Sequence, residues 1–302
     1  MLKKAVFILQ NIEEKLLSYA GKVEHFLSQS ISTDDKDLLS LYASMRYSVM
    51  AGGKRIRPFL VLTVSKMFGG KEENAIYLAA ALEMVHTYSL IHDDLPCMDD
   101  DDLRRGKPTN HKIYGEAVAT LAGDALLTGA FELIAASGLS DKAVRMAVLT
   151  LASAAGADGM VGGQVMDLSS SEQKEQDFNR LIKMHSLKTG ALIAAAVKLG
   201  LLAAENEKEA DRHALTSYAR YLGLAFQIVD DVLDVLGDEE EMGKQTGKDK
   251  EAGKTTFLHY FSPEEAMQYA KDLTDLAKGC VKDYENAQTL TQLADYLLER
   301  KK

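Results

Sequence analysis

The 302-residue chain has no tryptophan, four prolines and two cysteines. Two thiols, Cys97 and Cys280, are too few for a disulfide framework, so two reduced thiols are expected and neither is given a role. So few prolines leave little to interrupt a helix, which favours long helices over a loop-rich β architecture. Basic residues are also scarce: 35 Lys and Arg against 45 Asp and Glu give a net charge of −10. That balance argues against a nucleic-acid partner, which needs a basic surface. Nowhere does an unbroken apolar run reach the roughly 18 residues of a membrane span. The nearest, 189–204, is interrupted by Lys198. The apolar run 5–9 is shorter than a signal-peptide core and soon meets Glu13 and Glu14. A cytoplasmic protein with no stable membrane anchor is therefore expected. No repeat, linker or compositional shift marks a boundary, so one domain over residues 1–302 is expected.

Hydrophobic residues make up 46% and charged residues 26%, which is ordinary globular composition and excludes disorder. Residues 75–92 are rich in Ala, Leu and Met and apolar almost all round, the mark of a buried helix. Stretches 117–136, 187–204 and 217–236 have the same character. Asp34, Ser140 and Ser262 suit N-caps, the last followed by Pro263 at the first helical position. No segment alternates with period two, so no sheet is expected. Several all-round apolar helices imply an all-α fold with a helical core wrapped by further helices.

Residues 93–102 carry six aspartates directly after the most apolar helix. Crowded carboxylates repel and raise one another's pKa unless a cation neutralises them, and hard oxygen ligands select Mg²⁺ or a similar ion. Pro96 breaks the helix, so Asp99 need not follow helical spacing from Asp93 and Asp94. An EF-hand is excluded, because counting from Asp99 its sixth position is Arg104 and its twelfth Asn110. A second cluster lies in 226–234, where Asp230 and Asp234 share a helical face and Asp231 flanks them. Two such clusters on facing helices would form one cavity with metal between carboxylate walls.

Basic groups complete the set. Residues 52–58 (GGKRIRP) place Lys54, Arg55 and Arg57 beside two glycines, which allow close backbone approach to a phosphate. Arg104 and Arg105 follow the aspartates, and Lys188, Lys244 and Lys254 stand near segments that would rim a cavity. Gly253-Lys254-Thr255 looks like the end of a P-loop but lacks the upstream glycine at its required spacing. Carboxylates, divalent cations and Arg or Lys together suit phosphate oxygens bridged by metal. An apolar cavity behind them suits a ligand that is hydrocarbon at its other end.

The segments GGKRIRP (52–58), LIHDDLPCMDDDDLRRGKPTNH (90–111), LAGDALL (121–127), KTGAL (188–192) and FQIVDDVLD (226–234) resemble the short-chain trans-prenyltransferases, most of all their bacterial-type farnesyl diphosphate synthase branch. The resemblance implies an isoprenoid-synthase helical bundle around a central cavity, and a homodimer. It implies that Asp93, Asp94, Asp99, Asp230, Asp231 and Asp234 hold three Mg²⁺ ions against the diphosphate of an allylic substrate. Arg104, Lys188, Thr189, Gln227 and Lys244 would contact the same group. Lys54, Arg57, His86 and Arg105 would bind isopentenyl diphosphate. The activity implied is head-to-tail condensation to farnesyl diphosphate, with geranyl or geranylgeranyl diphosphate synthase as the alternative. Chain length is expected to depend on Tyr88 and Ser89, five and four residues before Asp93. Helical angles alone do not put Tyr88 squarely below Asp93.

Three other readings stay open on residues alone. His86 and His92-Asp93 in an all-α chain suit a metal-dependent phosphohydrolase, which would leave the second aspartate cluster unexplained. A terpene cyclase would need no Lys54/Arg57 pocket. A non-catalytic partner subunit would not need both clusters intact. His92 receives no role, and His86 gains one only through the resemblance.

Overall fold

A computed structural model describes residues 2–170, 177–236 and 255–300. Its centre is α4 (Glu72–Asp93), which starts with Glu72 and Glu73 in the first turn, where acids suit the helix dipole. Its Ala79–Ala80–Ala81 run lets neighbours approach closely, while Leu78, Leu82, Val85 and Ile91 fill the space between them. Leu82→Ala at such a site costs roughly 2–5 kcal/mol. Pro96 prevents continuation, so α4 ends at its aspartates.

Around α4 pack α3 (Ile56–Met67), α6 (Glu116–Ala135) and α10 (Ala191–Ala203). Before and between them run α1 (Leu2–Ser30), α2 (Leu39–Val49), α5 (Asn110–Tyr114), α7 (Asp141–Ala155), α8 (Met160–Leu168) and α9 (Phe178–His185). A π turn, Ser186–Gly190, leads into α10. Then come α11 (Glu209–Leu236), a 3₁₀ turn (Phe257–His259), α12 (Pro263–Val281) and α13 (Gln288–Glu299). The apolar interior falls into two clusters. The larger gathers residues of α1, α3, α4, α6, α7 and α10 together with the first half of α11. The smaller gathers α9, the second half of α11, Phe257 and α12. α11 spans both.

The all-α expectation holds, with one small exception. Leu103–Arg104 and Lys107–Pro108 pair as an antiparallel hairpin. Its turn residues, Arg105 and Gly106, both have positive φ (55° and 73°), as a type I′ turn requires. Two-residue strands are too short to show alternation. Ser140 and Ser262 cap their helices, and Ser262 forms a reciprocal capping box with Glu265 at 3.2 and 2.8 Å. Asp34 does not: a turn follows it, and α2 begins at Leu39 without a side-chain cap.

The expected burial of 117–136 also needs correction. α6 turns Leu121 outward at 58% exposure, and α7 turns Leu149 outward. By length and composition, stretches in Glu116–Ala135, Asp141–Leu168 and Phe178–Ala203 are apolar enough to cross a membrane. Scattered Gly, Ser, Thr and Lys had broken the runs without lowering mean hydropathy.

Candidate active site

α4 delivers the first aspartate cluster. Beyond Pro96 the chain doubles back, so that the Asp99 N–H donates to the Asp93 carbonyl at 2.9 Å. Asp100, with φ of 48°, completes the reversal. Burial pushes the Asp93 carboxyl up to about 6; the Lys188 ammonium draws it down, and the Asp99 carboxylate pushes it up again. Asp94 is buried, and its Oδ1 accepts from Nε and Nη2 of Arg104 at 2.6 and 2.5 Å. Arg104 also reaches Asp101 at 3.5 Å.

α11 delivers the second cluster. Asp231 is buried and held on both oxygens, by Gln227 Nε2 at 3.0 Å and by the Phe257 N–H at 2.9 Å. Asp234 lies one turn further on and is buried. Asp230 pairs with Nη2 of Arg300 at 2.6 Å. Arg300 also donates to the Phe226 carbonyl at 2.9 Å and lies 3.8 Å over the Phe226 ring.

The π turn joins the two walls. Lys188 Nζ meets Asp167 Oδ2 of α8 at 2.5 Å and stands in the field of Asp93. Next to it, Thr189 Oγ1 donates to Gln227 Oε1 at 3.1 Å, and Gln227 in turn holds Asp231. α8 can approach this turn only because residue 163 is glycine: a Cβ there would fall 2.2 Å from the Lys188 nitrogen.

The basic turn before α3 lies on a third side. Arg57 Nη1 is 3.3 Å from His86 Nε2, and the buried Arg57 Nε has no hydrogen-bond partner among the described residues. Burial lowers the Arg57 pKa, opposed by Glu83 on α4 and Asp230 on α11. One guanidinium thus feels carboxylates of both α4 and α11. Burial, then the charges of Arg57 and Arg105, hold His86 well below its ordinary pKa and therefore neutral. Arg105 donates to the Gly52 carbonyl, and its guanidinium lies 2.5 Å from where a Cβ on Gly53 would stand. Gly53, at φ of 115°, suits that position on both counts. Lys54 is half-buried in the same turn. Arg55 does a different job, binding Glu83 at 2.5 Å and Glu24 at 2.9 Å inside the protein.

Tyr88 is buried; burial, then the Asp93 charge, raises the phenol pKa. Its ring meets His92 edge-on at 5.7 Å. His92 Nε2 sits 3.0 Å from the Thr120 carbonyl, in space that a Cβ on Gly123 would fill. Ser89 turns its hydroxyl to the His86 carbonyl at 2.9 Å. Lys244 and Lys254 lie outside the described residues. Three participants escaped the sequence reading. Asp167 is the partner of Lys188, Arg300 the partner of Asp230, and Gln164 is buried with Nε2 lacking a hydrogen bond among the described residues. For Asp167 and Gln164 the signal was the glycine pair in GGQVMD (162–167).

Among the described residues, no three Asp, Glu, His or Cys side chains converge closely enough to hold an ion unaided. The cost of ionising the buried Asp93 beside Asp99 is what a nearby cation would relieve.

The family model for polyprenyl synthetases matches residues 39–297. A farnesyl diphosphate synthase of Escherichia coli is 46% identical over 86% of this chain and 89% of its own. A geranylgeranyl diphosphate synthase of Cyanophora paradoxa is also 46% identical, over 92% and 93%. Among solved structures, a geranyltransferase from Helicobacter pylori, complexed with magnesium and isoprenyl diphosphate, superposes with a TM-score of 0.83 at 33% identity, covering 95% of this chain and 96% of that one.

Proposed function

The chain belongs to the polyprenyl synthetase family and is a prenyltransferase, and from that premise we propose that it makes farnesyl diphosphate. Isopentenyl diphosphate would condense with dimethylallyl and then geranyl diphosphate, releasing pyrophosphate each time. The observation that carries this reading is the link between the two clusters: Lys188 stands in the field of Asp93, its neighbour Thr189 bonds Gln227, Gln227 holds Asp231, and Arg57 feels Asp230. The relative solved with magnesium and an isoprenyl diphosphate supports the choice of metal and ligand.

Asp93, Asp94 and Asp99 on one side and Asp230, Asp231 and Asp234 on the other would hold up to three Mg²⁺ ions. Bound there, the ions would neutralise the allylic diphosphate and favour its departure. Lys188, Thr189, Gln227 and Arg104 orient that group; for Lys188 and Arg104 this means trading Asp167 and Asp94 for phosphate oxygens. Lys244 is assigned the same role from its motif alone. Lys54, Arg57, His86 and Arg105 hold isopentenyl diphosphate, with neutral His86 able to accept from Arg57. The allylic C–O bond breaks with its electron pair on the diphosphate. The isopentenyl double bond then attacks the allylic carbon, and a proton passes to the departed pyrophosphate. The protein contributes positioning, charge and exclusion of water from a carbocation.

Product length separates this reading from a geranylgeranyl synthase, and relatives of both kinds are equally similar. The buried Tyr88 ring, braced edge-on by His92, favours a floor at C15. Tyr88→Ala should lengthen products towards C20; an unchanged C15 profile would move the floor elsewhere. The outward leucines of α6 and α7 suit a second copy of the chain, and sedimentation should show a dimer. A cytoplasmic location belongs to the same proposal. The deciding assay supplies labelled isopentenyl diphosphate, an allylic primer and Mg²⁺ and separates products by chain length. A C15 diphosphate is expected, whereas phosphate release without isopentenyl diphosphate would indicate a hydrolase.

A further inference from the structure

A second cavity, of about 550 Å³, lies at the far end of the bundle. α4 runs from Glu72 to Asp93, 22 residues or roughly 33 Å at ~1.5 Å each. Near its start Asn74 donates to the Gly138 carbonyl, and two residues on Ser140 opens both α7 and the cavity rim. The cavity therefore lies a helix length from the aspartate walls. Met146, Leu201 and Leu202 form an apolar patch in a lining that is otherwise mostly polar.

Its three cations and three glutamates cancel in number. Lys142 pairs with Glu207 at 2.5 Å, Arg212 pairs with Glu209, and Glu205 accepts from the Ser140 N–H at 3.2 Å. Lys198 is left over. It is half-buried, and among the described residues it has neither an ion pair nor a hydrogen bond. This lysine is the one charge that interrupts the apolar run 189–204. A long aliphatic stem beside the Met146, Leu201 and Leu202 patch, ending in an ammonium without an ion pair among the described residues, can serve an anion as counter-ion. Burial and the Arg212 charge already press against its charged form.

We propose that this cavity binds a monocarboxylate with a hydrocarbon body, of the medium-chain fatty-acid class, through a salt bridge to Lys198. A volume of this size lies in the range of small-molecule sites. The charge count excludes a diphosphate, which would bring several negative charges to one free cation ringed by Glu205, Glu207 and Glu209. The proposal is independent of the reading of the aspartate site.

The test is calorimetric titration of decanoate into the full chain, with pyrophosphate and Mg²⁺ saturating the aspartate site. One site should fill. Lys198→Met, which keeps a good helix former, should weaken decanoate about tenfold or more and leave pyrophosphate binding unchanged. Lys198→Arg should stay within about threefold, and decanol should bind about tenfold more weakly than decanoate. Met146→Glu, which puts a negative charge into the lining, should abolish binding while leaving helical dichroism intact. Absence of saturable decanoate binding, equal affinity for decanol, or undiminished binding in Lys198→Met would overturn the proposal.

Discussion

Asp93 and Asp230 open the two aspartate clusters on comparable helices, but their surroundings differ. Asp93 comes out of the larger apolar cluster, burial raises its pKa to about 6, and no ion pair among the described residues neutralises it directly. Asp230 comes out of the smaller cluster and already holds Arg300 at 2.6 Å. Its neighbour Asp231 is likewise fixed on both oxygens. Asp93 is a carboxylate in deficit of positive charge, whereas Asp230 is already paired and must exchange a guanidinium for a metal ion. The lesson is that equal motifs need not have equal readiness. Asp93 gains most from a cation, and at Asp230 a cation must compete with Arg300.

The largest effects come from deleting either wall. Asp93→Ala and Asp230→Ala should each lower turnover by about a thousandfold, the scale of removing a group that stabilises departing charge. Helicity should be preserved. Near-normal activity of either variant at saturating Mg²⁺ would break the comparison at its root.

The packing that supports the second wall should also respond to acid. Phe257, whose N–H holds Asp231, is stacked on His185 at 5.3 Å. Burial holds the His185 pKa near 4, with Asp167 raising it and Lys188 lowering it. Unfolded, the ring titrates near its ordinary value of 6.5 and binds the proton first. Its contribution to stability is therefore complete above pH 6.5 and is lost as the pH falls towards 4. By pH 5 the loss is about 2 kcal/mol. Thermal melts at pH 7 and 5 should show it, and His185→Phe should show a correspondingly smaller difference. An equal drop in the variant would remove His185 as the cause.

A smaller change sharpens the contrast directly. Arg300→Met removes the cation that competes at Asp230 and keeps apolar contact with Phe226. The Mg²⁺ concentration for half-maximal rate should fall by about threefold, the scale of a modest ion pair. An increased Mg²⁺ requirement would mean that Arg300 helps to assemble the site.

The long helices and both aspartate clusters were legible because they depend on local pattern: apolar stretches, few prolines, and carboxylates one turn apart. What was hidden depends on tertiary approach. Asp167 reaches Lys188 only because Gly163 lets α8 close on the π turn. That turn has no periodic signature; within 187–204 it reads as plain helix. Arg300 meets Asp230 across 70 residues of chain. The outward leucines of α6 were also hidden, because a helix that is apolar all round looks alike whether its partner is this chain or another.

The shared ligand is tested most directly by calorimetry of Mg²⁺-dependent pyrophosphate binding to the parent chain, Asp93→Asn, Asp230→Asn and the double variant. Two walls gripping one pyrophosphate require that either single substitution nearly abolish binding, and that the second add little to the first. Two independent sites would instead leave each single variant with one intact binding event, and the losses would add in the double variant.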